Sequence, residues 1–507
     1  MARKWWTLLA VCVATFMLLI DITVVNVALP DIQSSLGASL SSLQWVVDAY
    51  SLTLAGFLLT AGSLADRLGR RRVFTFGFAI FTIASFLCGI SPNATLLNLA
   101  RGLQGIGGAA MFATSLALIA QEFQGAERGT AIGAWGATIG GAVAIGPLIG
   151  GALTEGLGWE WIFFVNVPIG AAAILLTVTK LANLKAPDPS PIDWAGLATF
   201  SLGLFGLIFA LIRGNPEGWT SPQILASLIA AGVLLVGFVA IELRTRNAML
   251  DLSLFRKPAF TGVSVVAFAL SAGMFSLFLY ITLYVQDVLG HSPLAAGLIF
   301  LPLTVLSFFV APISGKLSAR VPIRALLGVG LVLVGIGLLL MHGVQYGESW
   351  TTLLAGFLFA GAGIGMVNPG IAQTAIGVVP PQKAGMASGI NNTFRQVGIA
   401  TGVAGLGAIF QSQVASKLAE LAPQTPSSFA DAVSSGGIHA AVQAAPPGAR
   451  DQLTRAADQA FISGLNEILL VGAIVVLVGA VAGFVLVRSR DFVGHTEDEP
   501  AAEPAAA

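Results

Sequence analysis

Long apolar runs separated by short polar segments dominate the chain. A helix that crosses a bilayer needs about 20 mostly apolar residues. Fourteen runs have roughly that length, with approximate limits 6–28, 43–62, 73–91, 95–120, 130–154, 161–181, 194–212, 223–242, 259–285, 294–315, 324–342, 352–375, 394–416 and 462–487. The pattern predicts an all-α, multi-pass membrane protein with fourteen spans, which we number in chain order.

The first run follows Arg3 and Lys4, as the apolar core of a signal peptide would. It is longer than such a core, and it contains Asp21. We therefore expect a span that is retained rather than a cleaved leader.

Basic residues fall on alternate sides of the predicted spans. Twenty of the 25 Lys and Arg residues lie before the first span, after even-numbered spans or after the last span. Lys and Arg favour the cytoplasmic side of a membrane. Both termini are therefore expected in the cytoplasm, as an even number of spans requires. The other five are Arg101, Arg213, Lys417, Arg450 and Arg455.

Composition and charge narrow the class of protein. Hydrophobic residues make up 56% of the chain and charged residues only 10%, whereas soluble proteins carry about 25% charged residues. This argues against a water-soluble enzyme. The net charge is zero, so no overall field attracts nucleic acid. The two cysteines and four histidines show no metal-ligand spacing, and neither a metal nor a cofactor is expected.

Two segments recur at similar intervals. GSLADRLGRRR from Gly62 resembles GKLSAR from Gly315, 253 residues later, and GTAIGAW from Gly129 resembles GMASGIN from Gly385, 256 residues later. The repeat predicts two homologous halves around a central site. The alternative is chance similarity between helices rich in Gly and Ala. The expected divisions are the first half 1–185, two inserted spans 186–257, the second half 258–490 with an outer loop 417–460, and a disordered tail 491–507.

Five segments carry a more specific pattern. They are LIDITVVNVALP from Leu19, GSLADRLGRRR from Gly62, LARGLQG from Leu99, GGAVAIGPLIGG from Gly140 and WEWIFFVNVPIG from Trp159. In this order they resemble the motifs of the fourteen-helix drug:proton antiporter branch of the major facilitator superfamily. Glu160 stands where that family often has Arg, and Ala319 aligns with Asp66. The charge interaction of the loop motif is therefore expected in the first half alone.

The resemblance implies a major facilitator fold, with two six-helix halves plus two extra central helices. It implies a monomer that exports lipophilic, in some cases cationic, compounds in exchange for protons. Its partners would be a small-molecule substrate, protons and membrane lipids, and high Ala and Gly content points to a bacterial plasma membrane. Four alternatives stay open: an exporter dedicated to one metabolite, antibiotic or lipid, an inward proton symporter, a non-transporting receptor or scaffold, and a membrane enzyme.

Two acids lie inside predicted spans. A carboxylate within a bilayer costs at least ~2.5–3.5 kcal/mol, so such residues usually serve a function. Asp21, in the first span, is expected to hold a proton and a polar or cationic substrate in turn. A structural hydrogen bond to Asn26 or to a neighbouring helix is the alternative. Asp48, in the second span, is either a proton or cation site or an acid wetted by the outer vestibule.

Arg101 is the only basic residue inside the fourth span. Its guanidinium remains charged and must find an acid, a carbonyl or water. The resemblance implies that it assists proton transfer at Asp21, and a purely structural role is the alternative. Gln104 lies three residues later on the same helical face and is expected to share its network and to line the substrate cavity.

Two further groups are candidates for conformational change. The fifth span is expected to bend at Pro147 and to pack closely through its glycines; directional bending comes from the resemblance, and ordinary packing is the alternative. In the turn after the second span, Asp66 is expected to bond a helix N-terminus or Arg128 and to latch the outward-facing state. The alternative for this turn is that its basic residues merely set topology. The residues of these groups are Gly140, Gly146, Pro147, Gly150 and Gly151, and Gly62, Asp66, Arg67, Gly69, Arg70 and Arg128.

Polar residues open the thirteenth span, where Arg395 accompanies Asn391, Asn392 and Gln396. The three amides are candidates for the substrate cavity, and a solvated helix end is the alternative.

Overall fold

The computed structural model describes residues 2–38, 40–182, 193–245, 250–380 and 383–492, and within these ranges the regular structure is entirely helical. The α-helices are α1 Arg3–Leu36, α2 Leu40–Leu68, α3 Arg70–Gly89, α4 Ala94–Glu122, α5 Gly125–Leu157, α6 Trp161–Phe164, α7 Asn166–Lys180, α8 Trp194–Glu217, α9 Pro222–Glu242, α10 Pro258–Leu270, α11 Leu277–Leu283, α12 Pro293–Ile299, α13 Leu301–Leu317, α14 Ile323–Met341, α15 Leu354–Gly377, α16 Ala384–Leu421, α17 Ser427–Ser434, α18 Ile438–Gln443 and α19 Arg450–Leu486.

All fourteen predicted spans coincide with helix. Twelve helical segments of the described chain are long and apolar enough to cross a membrane. In the fifth and tenth predicted spans the apolar segments are shorter, Leu148–Leu157 and Leu301–Leu317. The first of these belongs to α5, a helix of 33 residues, and the second is α13, which follows α12 directly. The all-helical fold is confirmed, whereas the count of fourteen spans stays a prediction.

The ninth predicted span is not a uniform α-helix. Between α10 and α11 the chain makes a π-helical turn at Ser271–Phe275, and a second one follows at Tyr284–Val288. Such turns insert an extra residue into the helical ladder and often mark functional sites. The first turn packs against α16, so the irregular backbone is covered by protein.

The helices form two groups that meet along two seams. In the first group α4 packs against α2 and α3, and α1 packs against α5. In the second group α14 packs against α15 and α19, and α13 packs against α15. The seams between the groups are α2 with α16, and α5 with α13.

Each seam contains a pair of glycines in backbone contact. A Cβ atom on Gly62 would overlap the carbonyl oxygen of Gly385, and one on Gly129 would overlap the carbonyl oxygen of Gly315. The sequence repeat equates Gly62 with Gly315 and Gly129 with Gly385. Exchanging the two halves therefore converts one glycine contact into the other. This agreement supports a true internal repeat over chance similarity.

Helices α8 and α9 form a pair beside these groups. α8 packs against α2, α16 and α9, and the hydroxyls of Thr60 on α2 and Ser201 on α8 are hydrogen-bonded at 2.8 Å. α9 leaves large apolar side chains such as Ile229 and Val236 exposed. Exposed apolar side chains suit contact with lipid, so α9 offers a lipid-facing surface, whereas α8 packs one face on protein and also exposes apolar side chains such as Leu202.

The segment predicted as the outer loop 417–460 is largely helical. α16 continues to Leu421, α19 begins at Arg450, and α17 and α18 lie between them. Both flanking helices extend past the apolar runs because an Ala-rich segment can remain helical in water. The boundary at 185–186 and most of the predicted tail, residues 493–507, lie outside the described residues, and a short 3₁₀ helix at Ser489–Asp491 precedes that tail.

Candidate functional site: a buried ionic network and two helix seams

Asp21 lies in an ionic network enclosed by the first group of helices. Its Oδ2 accepts a hydrogen bond from Nη1 of Arg101 on α4, at 2.5 Å. Both side chains are only 1% exposed. Burial removes water from both the carboxylate and the guanidinium, and each charge then offsets part of the cost of burying the other. The two intramembrane charges that the sequence singled out are thus partners.

Amide and hydroxyl groups complete this network. Nε2 of Gln104 donates to Oδ1 of Asp21 at 2.8 Å, and Oε1 of Gln104 accepts from Arg101 at 2.7 Å. Asn166 on α7 lies 3.5 Å from Oδ1 of Asp21 through its Nδ2. The hydroxyl of Ser85 on α3 accepts from Gln104 and from Asn166, at 3.2 and 3.1 Å. Side chains of α1, α3, α4 and α7 therefore form one hydrogen-bonded network around this carboxylate.

Arg101 is also fixed from the side of α2. Its Nε donates to the carbonyl of Val46 at 2.9 Å, and its guanidinium lies 4.3 Å from the centre of the Tyr50 ring. Cation–π contacts at this distance are favourable. The hydroxyl of Tyr50 is buried without a hydrogen-bond partner among the described residues. This cage holds the cation beside Asp21 while leaving one polar group unsatisfied.

The network can respond to a proton in a simple way. Protonation of Asp21 would remove the charge that neutralises Arg101, and the remaining bonds would be those of a neutral acid. Charge-assisted hydrogen bonds are about twice as strong as neutral ones. A proton and the guanidinium therefore compete for the same carboxylate.

Asp48 lies near a cation from an inserted helix. Its Oδ2 is 3.8 Å from Nη1 of Arg213 on α8, and the two side chains are 14% and 8% exposed. Nε of Arg213 bonds Glu217 at 2.7 Å, and the guanidinium lies 5.5 Å from the ring of Trp45. Arg213 is one of the five basic residues outside the predicted cytoplasmic set, and the structure places it against Asp48 near the end of α8.

Asp66 joins the two groups of helices at the α2–α16 seam. Its carboxylate accepts hydrogen bonds from the backbone amides of Gly385 and Met386, at 3.1 and 2.8 Å. These amides lie in the first turn of α16, where backbone donors lack partners within the helix. Arg70 donates to Asp66 at 3.1 Å and to the carbonyl of Ala117 at 3.1 Å. Of the two partners expected for this acid, the helix N-terminus is the one found.

The rest of the turn is compact. Gly69 has a φ of 100° between α2 and α3, a conformation that favours glycine. Arg67 is half-buried at the end of α2. Nε of Arg128 on α5 is buried without a hydrogen-bond partner within the described chain.

The glycines of α5 serve different neighbours. A Cβ atom on Gly146 would overlap Thr23, and one on Gly150 would meet Val24 at 3.2 Å, so both face α1. A Cβ on Gly140 would lie 3.4 Å from the Thr304 carbonyl of α13. A Cβ on Gly141 would contact the ring of Phe308, also on α13, and a Cβ on Gly151 would meet no atom within 4 Å. The side chain of Pro147 lies outside the described residues, and the predicted bend there stays a prediction.

The polar start of the thirteenth span lies within α16. Asn391 and Asn392 are buried, at 2% and 1% exposure, and Gln396 is half-buried. Nδ2 of Asn391 and Oδ1 of Asn392 have no hydrogen-bond partner within the described residues. Because both side chains are buried, these two amides do not lie at a solvated helix end, which was the alternative to a place in the cavity. The side chain of Asn26 lies outside the described residues, and its hydrogen bond to Asp21 stays a prediction.

Sequence reasoning did not single out Ser85, Tyr50, Asn166 or Arg213. Asn166 lies within the WEWIFFVNVPIG segment, where a lone amide in an apolar run was a usable signal. Ser85 and Tyr50 had no distinguishing signal, because such residues are common in membrane helices. No group of three or more His, Cys, Asp or Glu residues suited to a metal occurs in the part of the chain that the structure describes.

Comparison with known families agrees with this architecture. The family model described as Major Facilitator Superfamily matches residues 11–403. A solved structure, the human organic anion transporter MFSD10 (TETRAN), matches with a TM-score of 0.59 at 15% sequence identity. That match covers 93% of this chain and 99% of the other. At this identity the likeness concerns the fold.

Curated relatives are more similar in sequence. The multidrug resistance protein Stp of Mycobacterium tuberculosis is 36% identical over 413 residues, covering 81% of this chain and 77% of the relative. The tetracenomycin C resistance and export protein of Streptomyces glaucescens is 33% identical, with coverages of 95% and 91%. The drug efflux pump JefA of Mycobacterium tuberculosis is 34% identical, with coverages of 94% and 97%.

Proposed function

Since the chain belongs to the Major Facilitator Superfamily, a class of membrane transporters and not of enzymes, we propose that it is a proton-driven exporter of lipophilic compounds. Relatives named for multidrug resistance, drug efflux and antibiotic export support the direction of transport. The buried pair of Asp21 and Arg101 supports proton coupling and carries this proposal. The two halves would alternate around a cavity that opens to one side at a time.

The proton step follows from the network around Asp21. A proton from outside binds the carboxylate and displaces Nη1 of Arg101. Two and three residues later, Thr23 and Val24 contact Gly146 and Gly150 of α5. A shift of α1 at Asp21 is therefore passed directly to α5, which forms one of the two seams between the halves. This gives a mechanical route from protonation to the opening of a seam.

The seams define which side is closed. Gly62, Gly129 and Asp66 lie at or near the helix ends predicted to be cytoplasmic, and all three contact the other half. A closed cytoplasmic side corresponds to an outward-facing transporter. We propose that Asp66 stabilises this state by bonding the first turn of α16, so that opening inward requires these bonds to break.

The second half supplies the remaining polar lining. We propose that Asn391, Asn392 and Gln396 take part in the substrate cavity, with Gln104 on the side of the first half. Nδ2 of Asn391 and Oδ1 of Asn392 lack partners within the described chain, which leaves one donor and one acceptor for a cargo. Location in a bacterial plasma membrane with cytoplasmic termini, and a monomeric state, complete the proposal.

The coupling is tested in sealed liposomes that contain the purified protein. A pH gradient is imposed, a panel of lipophilic cations, neutral compounds and aromatic acids is added, and proton flux is recorded for the wild type, Asp21→Asn and Asp31→Asn. Asp31 is an exposed acid on the same helix and serves as the matched control. Flux that depends on cargo and is lost only in Asp21→Asn is expected. Equal flux in both variants would move the proton site away from Asp21.

A second candidate is export of one specific antibiotic or metabolite. The observation that favours it is the name of the Streptomyces glaucescens relative, which specifies tetracenomycin C. A broad exporter transports many unrelated compounds at comparable rates, whereas a dedicated one transports a single chemical family. Competition between panel members for the same flux separates the two.

A further inference from the structure

The described helices contain three buried arginines, Arg101, Arg213 and Arg395. Arg213 lies beside Asp48 and Glu217, and the other two have very different surroundings. Arg101 is 1% exposed and is neutralised by Asp21. Arg395, on α16 in the second half, is 9% exposed. Within the described residues no carboxylate lies within ion-pairing distance of it. Its recorded hydrogen bond goes from Nη2 to Oδ1 of Asn368 on α15, at 2.5 Å.

A guanidinium has five N–H donors and remains charged in proteins. A single amide oxygen satisfies only one of these donors and none of the charge. Burial without a counter-ion is costly, and ionisable groups inside a membrane protein usually serve a substrate or ion pathway. The exposure that Arg395 retains, compared with the sealed Arg101, leaves its remaining donors within reach of a ligand.

The surroundings of Arg395 contain further unsatisfied polar groups. Asn391 lies one helical turn earlier on the same face of α16, and its Nδ2 is buried without a partner. One turn later on this face, Gly398 contacts Ser271 of the π-helical turn. The hydroxyl of Ser271 is also buried without a partner among the described residues. Three hydrogen-bond donors, the guanidinium of Arg395, Nδ2 of Asn391 and the hydroxyl of Ser271, thus lie along a single stretch of α16.

An aromatic ring completes this set. The centre of the Phe275 ring, in the same π-helical turn, lies 6.0 Å from Cζ of Arg395. Such a ring offers a stacking surface to a flat apolar ligand beside the cation. Arg395 is the twelfth residue of α16, about 16 Å along the helix from its first residue at 1.5 Å per residue. The cluster therefore lies about three helical turns from the start of α16.

We propose that Arg395, with Asn391, Asn368 and Ser271, forms a binding site for an anionic oxygen of an aromatic cargo, such as a carboxylate or phenolate. This inference rests on the proposed export function and specifies its substrate class. The cargo then brings the negative charge that Arg395 lacks, while Asp21 and Arg101 in the first half handle the proton. An exporter of this kind favours aromatic acids over purely cationic compounds.

Equilibrium binding tests the site without requiring transport. The purified full-length protein is titrated at pH 8 with fluorescent anthracene-2-carboxylate and with the neutral anthracene-2-carboxamide. The variants are Arg395→Gln, Arg395→Lys and Arg320→Gln, the last at an exposed arginine in the loop after α13. Binding of the carboxamide shows in every variant that the protein is folded.

The expected result is a preference of the wild type for the carboxylate of roughly ten- to hundredfold, the range of a hydrogen bond to a charged group. Arg395→Gln removes the preference and spares carboxamide binding. Arg395→Lys retains part of it, and Arg320→Gln retains all of it. Equal affinity of the wild type for both probes, or an unchanged preference in Arg395→Gln, overturns the proposal.

Chloride distinguishes a cargo site from a site for inorganic anions. The titration is repeated with chloride replaced by gluconate. A preference that appears only in gluconate, and that millimolar chloride abolishes, assigns the site to a small anion and overturns the cargo assignment. A preference that is the same in both salts supports it. Because binding is measured at equilibrium, failure here leaves the liposome flux result standing, and the two proposals fail separately.

Discussion

The charged groups of Arg213 on α8 and Asp48 on α2 lie 3.8 Å apart. This pair lies where the inserted helices meet the first half. Two residues further along α8, Nδ2 of Asn215 donates to the carbonyl of Ala404 on α16, at 2.9 Å. One turn of α8 therefore contacts both halves. The inserted pair is a link between the halves, and any rocking motion must change at least one of these contacts.

Substitution of Asp48 and Arg213 should show energetic coupling between the first half and α8. Asp48→Asn and Arg213→Gln are each expected to lower the initial rate of transport in liposomes by about two- to tenfold. Because contacting residues couple by about 0.5–3 kcal/mol, the double variant should be no slower than the slower single variant. Rates that multiply in the double variant would show that the two residues act independently.

Alanine at Gly62 should prevent close approach of α2 and α16. A Cβ there would overlap the backbone of Gly385, which cannot move as a flexible side chain could. The expected result is a transport rate at least about tenfold lower, since 1.4 kcal/mol of strain in one state suffices for that change. Cysteine pairs placed across the seam should also cross-link less readily.

The matched control for this substitution is Gly151→Ala on α5, where an added Cβ meets nothing within 4 Å. It should transport at nearly the wild-type rate, and an alanine in place of glycine in a helix stabilises by up to about 1 kcal/mol. If Gly62→Ala and Gly151→Ala behave alike, backbone contact at the seam does not control transport.

Removal of the charge at Asp66 should favour opening of the α2–α16 seam. In Asp66→Asn one oxygen still accepts an amide bond, but the charge-assisted bonds to Gly385 and Met386 weaken. A loss of about 1–2 kcal/mol is expected, which shifts a two-state equilibrium roughly 5- to 30-fold. Accessibility of a cysteine at the seam to a cytoplasmic thiol reagent measures this shift.

Asp251→Asn provides the comparison for Asp66. Asp251 also contacts the start of α16, through Lys383 at 2.6 Å, but both side chains are substantially exposed, at 32% and 46%. Exposed ion pairs contribute about 0–1 kcal/mol, so its accessibility profile should change little. A shift as large as that of Asp66→Asn would mean that charge near α16, rather than capping of its first turn, sets the equilibrium.

The sequence predicts the helices well because membrane spans depend on local composition alone. It also predicts that Asp21 and Arg101 need partners, since buried charges are costly wherever they lie. It does not identify Asn166 and Ser85 as members of the network around Asp21 and Arg101, or Arg213 as the cation beside Asp48. Those contacts depend on how helices far apart in the chain pack. The repeat predicts equivalent glycines, but only the packed structure shows that Gly62 meets the equivalent of Gly129.

Gln104 should set the pH range of coupling rather than the existence of transport. Its Nε2 stabilises the charged form of Asp21, and its Oε1 holds Arg101. Gln104→Leu removes both bonds while keeping a side chain of similar size. A bond to a charged group is worth about 1.5–3 kcal/mol, so the pH of half-maximal proton-coupled transport should rise by about one to two units. Gln413→Leu on α16 is the matched control, since Gln413 bonds only Ser463 among the described partners, at 3.2 Å. An unshifted pH profile in Gln104→Leu, measured as proton flux against external pH, would contradict a coupling role for the network around Asp21.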